Sequence, residues 1–277
     1  MSSKQSLSTL LTPNSVNHTQ HPSLKCRFYN LEINPLENQA YLEYASNSLR
    51  EAYVDNDYLS SVLAREGFEG VTKLFSERFP PASNEFGVRT GDFGEVIAHM
   101  VLQDFFGHTI PVMKLRYKTN WEKAAFGVDV VAFHLHASDP SQDTVVFSEV
   151  KASKQKDYGI DNIFEEISLL VEEGQPESKQ KMRNAVRFVS ERLFGEKQFE
   201  LEKRIYRFLD CYTNPKYVES FFPFLVRDKA TWNNDALSGK TLRKLEPDKV
   251  ILCVFLLDNL EDTMNAVYLK ATQWQQN

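Results

Sequence analysis

The chain has 277 residues, 42% of them apolar, 25% charged, with 20 Phe and 11 Tyr, and a formal net charge of −6. That is ample material for one sizeable core, which argues against a disordered chain. The negative balance argues against a protein that coats nucleic acid through its overall field, so any phosphate contact must be local.

Residues 1–22 are rich in Ser, Thr, Asn, Gln and His without hydrophobic period and read as a flexible tail. They lack a charged leader joined to an apolar segment, and nowhere does an apolar run reach bilayer length, so a cytoplasmic protein without membrane contact is expected. Cys26, Cys211 and Cys253 are widely spaced, with no metal-finger pattern, as suits a reducing compartment.

Residues 23–84 form a mainly helical subregion. Tyr41, Tyr44, Ala45 and Leu49, then Leu59, Val62 and Leu63, then Val71, Leu74 and Phe75 recur at helical spacing until Pro80 and Pro81 stop the pattern. Residues 85–277 read as the main domain. There Phe93, Val96, Ile97, Met100, Val101 and Phe105 make a helix stripe ending near Gly107, and 110–117 reads as a strand.

Two further strands, 127–136 and 144–152, flank the turn sequence ASDPSQD. Both faces of the first are apolar, so helices are expected on both sides of the sheet. Helices follow around 163–171 and 179–193. Residues 195–249 read as an insertion of mixed structure, 250–257 (VILCVFLL) as a buried strand and 267–269 as an edge strand. The fold class is α/β, with a mixed central sheet flanked by helices, a helical N-terminal subregion and an insertion before the last core strand.

Glu149 and Lys151 are two apart on a strand and so project to one side. If the hairpin is centred near Asp139, Asp129 lies opposite Glu149, with Cβ atoms roughly 5 Å apart. Two facing carboxylates in a sheet otherwise covered by apolar residues repel unless a cation lies between them. Mg²⁺, with Mn²⁺ as a substitute, suits oxygen ligands of this kind, and the Val150 carbonyl is a further candidate ligand. Lys151 then lies where it can orient or help deprotonate a nucleophilic water and offset charge on a phosphoryl group.

An E-x-K tripeptide alone is common. Asp129 carries more information, because it interrupts the apolar run GVDVVAF, where an unpaired carboxylate is expensive. Glu95 has two readings. If Asp92 caps its helix, Glu95 closes a capping box; if Thr90 caps, Glu95 is free to face the metal. His134 and His136 lie on the strand face opposite Asp129, and His99 and His108 are isolated. No Walker loop, nucleophile elbow or dinucleotide fingerprint is present. Two basic runs, Lys114, Arg116, Lys118 and Lys123, then Lys151, Lys154 and Lys156, are equally candidates for phosphate contact and ordinary solvated strand ends.

The order helix with Glu95, strand, strand with Asp129, strand with Glu149-Val150-Lys151, then helix resembles the restriction-endonuclease-like core of the PD-(D/E)XK nucleases, with Val128 in place of the nominal proline. RTGDFGEVIAHMVL, PVMKLRYKTNWEKAAFGVDVVAF and FSEVKAS, within residues 89–153, resemble more closely the HamA family, the nuclease subunits of the Hachiman anti-phage system. The resemblance implies a bacterial Mg²⁺-dependent DNase working with a superfamily 2-type, HamB-like helicase. It assigns catalysis to Glu95, Asp129, Glu149 and Lys151, metal binding to the three carboxylates, and DNA contact to Lys114, Arg116, Lys118 and Lys154. The alternatives are a non-catalytic module of the same fold that binds and restrains a helicase, and a nuclease acting on RNA.

Overall fold

The computed structural model describes residues 7–17, 25–31, 34–81, 86–118, 127–171, 176–209, 217–237 and 250–273. Its strands are β1 (Leu11–Asn17), β2 (Lys25–Leu31), β3 (Val130–His134), β4 (Thr144–Ser148), β5 (Val150–Ser153), β6 (Val218–Phe221), β7 (Phe224–Asp228) and β8 (Ile251–Leu257). Its helices are α1 (Gln39–Tyr53), α2 (Asn56–Arg78), α3 (Phe86–Asp104), α4 (Ile160–Val171), α5 (Pro176–Gly195), α6 (Phe199–Tyr206) and α7 (Leu260–Thr272). No helix among the described residues is long and apolar enough to cross a membrane.

The strands form a mixed sheet in two stretches, β1-β2-β8-β7-β5 and β3-β4-β6. Two kinked strands join them, because β4 runs into β5 through Glu149 and β6 into β7 through Phe222 and Pro223. The ladder survives the kink: the Phe222 N–H donates to the Phe147 carbonyl at 2.9 Å, and the Phe224 N–H to the Glu149 carbonyl at 2.9 Å. β3 and β4 pair antiparallel, while β5, β7, β8 and β2 run parallel in turn.

Alternation along the strands divides the core in two. Val130, Ala132, Val146, Phe224 and Val226 face α1, α2, α3 and α7, whereas Val131, Phe133, Val145, Phe147 and Leu225 face α4, α5 and α6. The α/β class with a mixed sheet flanked by helices is therefore observed. Within residues 23–84, read as mainly helical, 39–53 and 56–78 are helices, whereas 25–31 form β2, a strand paired with β8. Asn38 caps α1 by accepting the Tyr41 N–H, and Asp55 caps α2 by accepting the Asp57 and Tyr58 N–H groups.

Several expectations change. Residues 11–17, read as tail, form β1, which pairs with β2 in an antiparallel ladder from Leu11↔Leu31 to Asn17↔Lys25; backbone pairing makes a strand there without an apolar period. Residues 195–249, read as an insertion, include β6 and β7, and β7 lies between β5 and β8. Pro223 interrupts the apolar run FFPFLV and a charged Arg-Asp-Lys follows it, which disguised a central strand; residues 210–216 and 238–249 lie outside the described residues. The edge strand read at 267–269 is part of α7, whose buried Leu260, Met264, Val267, Tyr268 and Ala271 follow a helical period. The strand read over 110–117 shrinks to a Thr109↔Phe133 bridge followed by a 3₁₀ turn at Lys114–Tyr117.

That turn ends in a buried ion pair. Lys118 Nζ donates to both Asp92 oxygens at 2.6 Å, and the Tyr53 hydroxyl also donates to Asp92. Lys118 is thus no surface contact for phosphate. It ties the turn to α3 and, through Tyr53, to α1. Removing one member of such a pair strands a charge in the interior. Lys118→Met is expected to lower unfolding free energy by about 3–5 kcal/mol in chemical denaturation.

Candidate active site

Helix α3 approaches the sheet at Gly94. A Cβ there would stand 2.8 Å from the Ala152 Cβ and 3.1 Å from Val150 Cγ1, so only glycine lets the backbones come this close. One residue on, Glu95 is buried, and its Oε2 has no hydrogen-bond partner. Because α3 starts at Phe86, neither Asp92 nor Thr90 caps it and Glu95 takes no part in a capping box.

The β3–β4 register pairs Val130 with Ser148, which sets Asp129 opposite Glu149 one step beyond the ladder. The Val150 N–H donates to Asp129 Oδ2 at 2.8 Å and closes the hairpin end. The expectation of a continuous strand through residue 149 is corrected, since Glu149 occupies the kink itself. Its side chain is buried all the same, with Lys181 of α5 donating to Oε1 at 2.6 Å. Lys151 reaches Glu166 of α4, with Nζ 3.2 Å from Oε2. Lys114, from the 3₁₀ turn, lies 3.7 Å from Glu95 Oε1 and 3.5 Å from Asp129 Oδ1.

A cleft of about 490 Å³ opens beside this cluster, lined by Glu95, Asp129, Lys151, Lys154 and Tyr158 among others. The family model named HamA matches residues 5–271. The chain belongs to the HamA family. Membership makes it a component of Hachiman anti-phage defence. No curated protein matches the chain.

Electrostatics in this HamA-family cluster follow from burial. Glu149 is pushed up to about 8, by burial first and by Asp129 next, with Lys181 pulling the other way. Burial also raises Glu95 well above the carboxylate range; Lys114 opposes this, and Asp129 and Asp92 add to it. Burial by itself would lower Lys114 and Lys151. Glu95 and Asp129 outweigh it at Lys114, Glu166 and Asp129 at Lys151, and both ammonium groups stay above their ordinary value. Lys151 is therefore a fixed cation at neutral pH, suited to stabilising negative charge and not to accepting a proton.

Glu95, Asp129, Glu149 and Lys151 thus meet in one charge cluster, which Lys114, Lys181 and Glu166 complete. Among the described residues, no three His, Cys, Asp or Glu side chains form a ready metal cage. Lysines hold the carboxylates instead. Lys114 was read as a phosphate contact, yet it lies inside the cluster. Arg116 is also engaged internally, donating from Nε to the Glu51 carbonyl at 2.8 Å and pairing with Asp55 at 3.6 Å. Of the four cations read as DNA contacts, Lys154 is on the surface, and it pairs with Glu261 at 3.0 Å; Lys123 of the first basic run lies outside the described residues. Sequence reasoning missed Lys181 and Glu166, because no local pattern marks a residue brought in by packing of α4 and α5.

The Glu149 shift has a consequence for stability. A carboxyl near 8 when folded and near 4.5 when unfolded binds more protons in the folded state between those values, so stability falls as pH rises through that window. In chelator, the melting temperature is expected to drop between pH 5 and pH 8. Glu149→Gln should flatten that slope, and an unchanged slope would show that Glu149 titrates normally.

Proposed function

We propose that this chain is a metal-dependent DNA nuclease that hydrolyses phosphodiesters and is controlled by a helicase partner. The observation that carries the reading is the convergence of Glu95, Asp129 and Lys151 on one cleft, with buried Glu149 beside Asp129. Buried carboxylates are costly, and burial raises both Glu95 and Glu149 above the ordinary carboxylate range, as at many functional sites.

The donor set fits Mg²⁺ or Mn²⁺. Asp129, Glu149 and the unpartnered Glu95 Oε2 supply oxygen only, which hard divalent cations prefer. When bound, such an ion polarises a phosphoryl oxygen and makes water a better nucleophile. Lys151, oriented by Glu166, faces the negative charge that gathers on the phosphoryl group. Lys114 and Lys181 hold the carboxylates in place, and a bound ion would take over part of that charge balance. Metal affinity then depends on carboxylate ionisation. Added Mn²⁺ is expected to raise the melting temperature more at pH 8 than at pH 5, and equal gains would count against these ligands.

The helicase role rests on charge as well as family. A chain of net charge −6 lacks the field that draws DNA in on its own. Delivery by a partner supplies what the surface lacks. The rival reading, a non-catalytic module that binds and restrains a helicase, draws on the lysines that already neutralise the carboxylates.

The deciding experiment incubates the protein, with and without the helicase, with linear and supercoiled DNA and Mg²⁺ or Mn²⁺. Cleavage is expected to fall roughly 100-fold or more in both Glu149→Ala and Lys151→Ala, in line with loss of one preorganised charge-stabilising group. Wild-type rates in both variants would remove the site. Absence of cleavage under every condition would favour the binding module, and preference for RNA would change the substrate.

A further inference from the structure

Arg227, near the end of β7, has no exposed surface. A buried guanidinium is costly; Asp157 of the adjacent loop offers this one opposite charge, and its hydrogen bonds go to main-chain carbonyls. Nη1 donates to Lys151 at 2.5 Å and Val226 at 2.9 Å, Nη2 to Tyr158 at 2.5 Å, and Nε to Lys156 at 3.3 Å. Three of the four belong to Lys151 and the loop that leads from β5 to α4. The same loop closes on Gly159 at φ +67°, where an added Cβ would stand 3.1 Å from Lys151 Cγ. A short surface loop is thus held from beneath at its root, middle and end.

The loop presents Tyr158, whose exposure is 56%. Among the large apolar side chains exposed in the described residues, Tyr158 is the one that lines the cleft of Glu95, Asp129 and Lys151. Lys154, with a side chain 59% exposed, lines the same cleft, and exposed Lys156 follows in the sequence KASKQKDY. Cations interleaved with a solvent-facing ring beside a catalytic cluster form the pattern that single strands occupy: phosphates meet the lysines and a base covers the ring. A duplex keeps its bases stacked on one another and leaves such a ring without a partner.

We propose that the 154–158 loop is a subsite for an unpaired nucleotide of single-stranded DNA, with Tyr158 as the stacking platform, Lys154 beside its phosphate and Arg227 as the positioning residue. The proposal rests on reading the cleft as a nucleic-acid site and names the form of substrate held there. Because Arg227 fixes the loop in advance, little loop ordering is left for binding to cost.

The test measures fluorescence anisotropy of a short fluorescein-labelled single-stranded DNA, and of the same sequence as blunt duplex, with the full chain in chelator. Tyr158→Ala is expected to weaken single-strand binding about tenfold. Tyr158→Phe should bind as wild type, and duplex binding should change little in either. The subsite is overturned if Tyr158→Ala, folded by circular dichroism, binds single strands like wild type, if Tyr158→Phe loses as much as Tyr158→Ala, or if the wild type binds no single strand. Cleavage by Lys151→Ala, run in parallel, separates the two ideas. Normal binding in Tyr158→Ala with cleavage lost in Lys151→Ala sinks the subsite alone, while Tyr158-dependent binding without cleavage by any form, with or without the helicase and Mg²⁺ or Mn²⁺, upholds the subsite and sinks the nuclease.

Discussion

Carboxylates taken out of water must be matched by positive charge, and this requirement organises the centre of the molecule. Asp92, Glu95 and Glu149 are buried, and Asp129 is nearly so. Their cations come from separate places: Lys118 and Lys114 from the end and start of one 3₁₀ turn, Lys181 from α5. The first two pairs tie the turn to α3 on one face of the sheet, and the third ties the sheet at Glu149 to α5 on the other. Neutralising the cluster therefore joins α3, the hairpin and α5 into one unit, as apolar contact on either face alone does not.

The kink in the sheet gives the cluster its position. At Glu149 the chain leaves one stretch of sheet and enters another, and the parallel neighbour bends alongside at Phe222 and Pro223 while the ladder continues through Phe147 and Glu149 carbonyls. The Glu149 carboxylate at this bend is buried, while its neighbours Asp129 and Lys151 line the opening. Gly94 then allows α3 to press against β5, bringing Glu95 to the same opening from the opposite layer.

The molecule combines a negative surface balance with a few cations placed in or beside the cleft. Lys151 and Lys114 are retained as cations by carboxylates, and Lys154 is tethered to Glu261. Attraction for phosphate is thereby local and short-ranged, screened beyond about 8–10 Å at ordinary ionic strength.

The sequence by itself determined what depends on near neighbours. Strand alternation and hairpin symmetry set Asp129 against Glu149 and put Lys151 on the same side, and helical period marked α1, α2, α3, α4 and α5, because these follow from side-chain spacing along one or two adjacent elements. Only the tertiary structure decided the remainder. β1 lacks an apolar period and gains its identity from pairing with β2; β7 hid behind Pro223 and Arg227; 267–269 became helix once α7 packed as a whole. Lys114 and Lys118, which read as surface cations, turned inward because carboxylates far along the chain were buried there. Lys181 and Glu166 joined the cluster through the packing of α5 and α4. Charge compensation acts through space, so a residue's partner in it is legible only after the chain has folded.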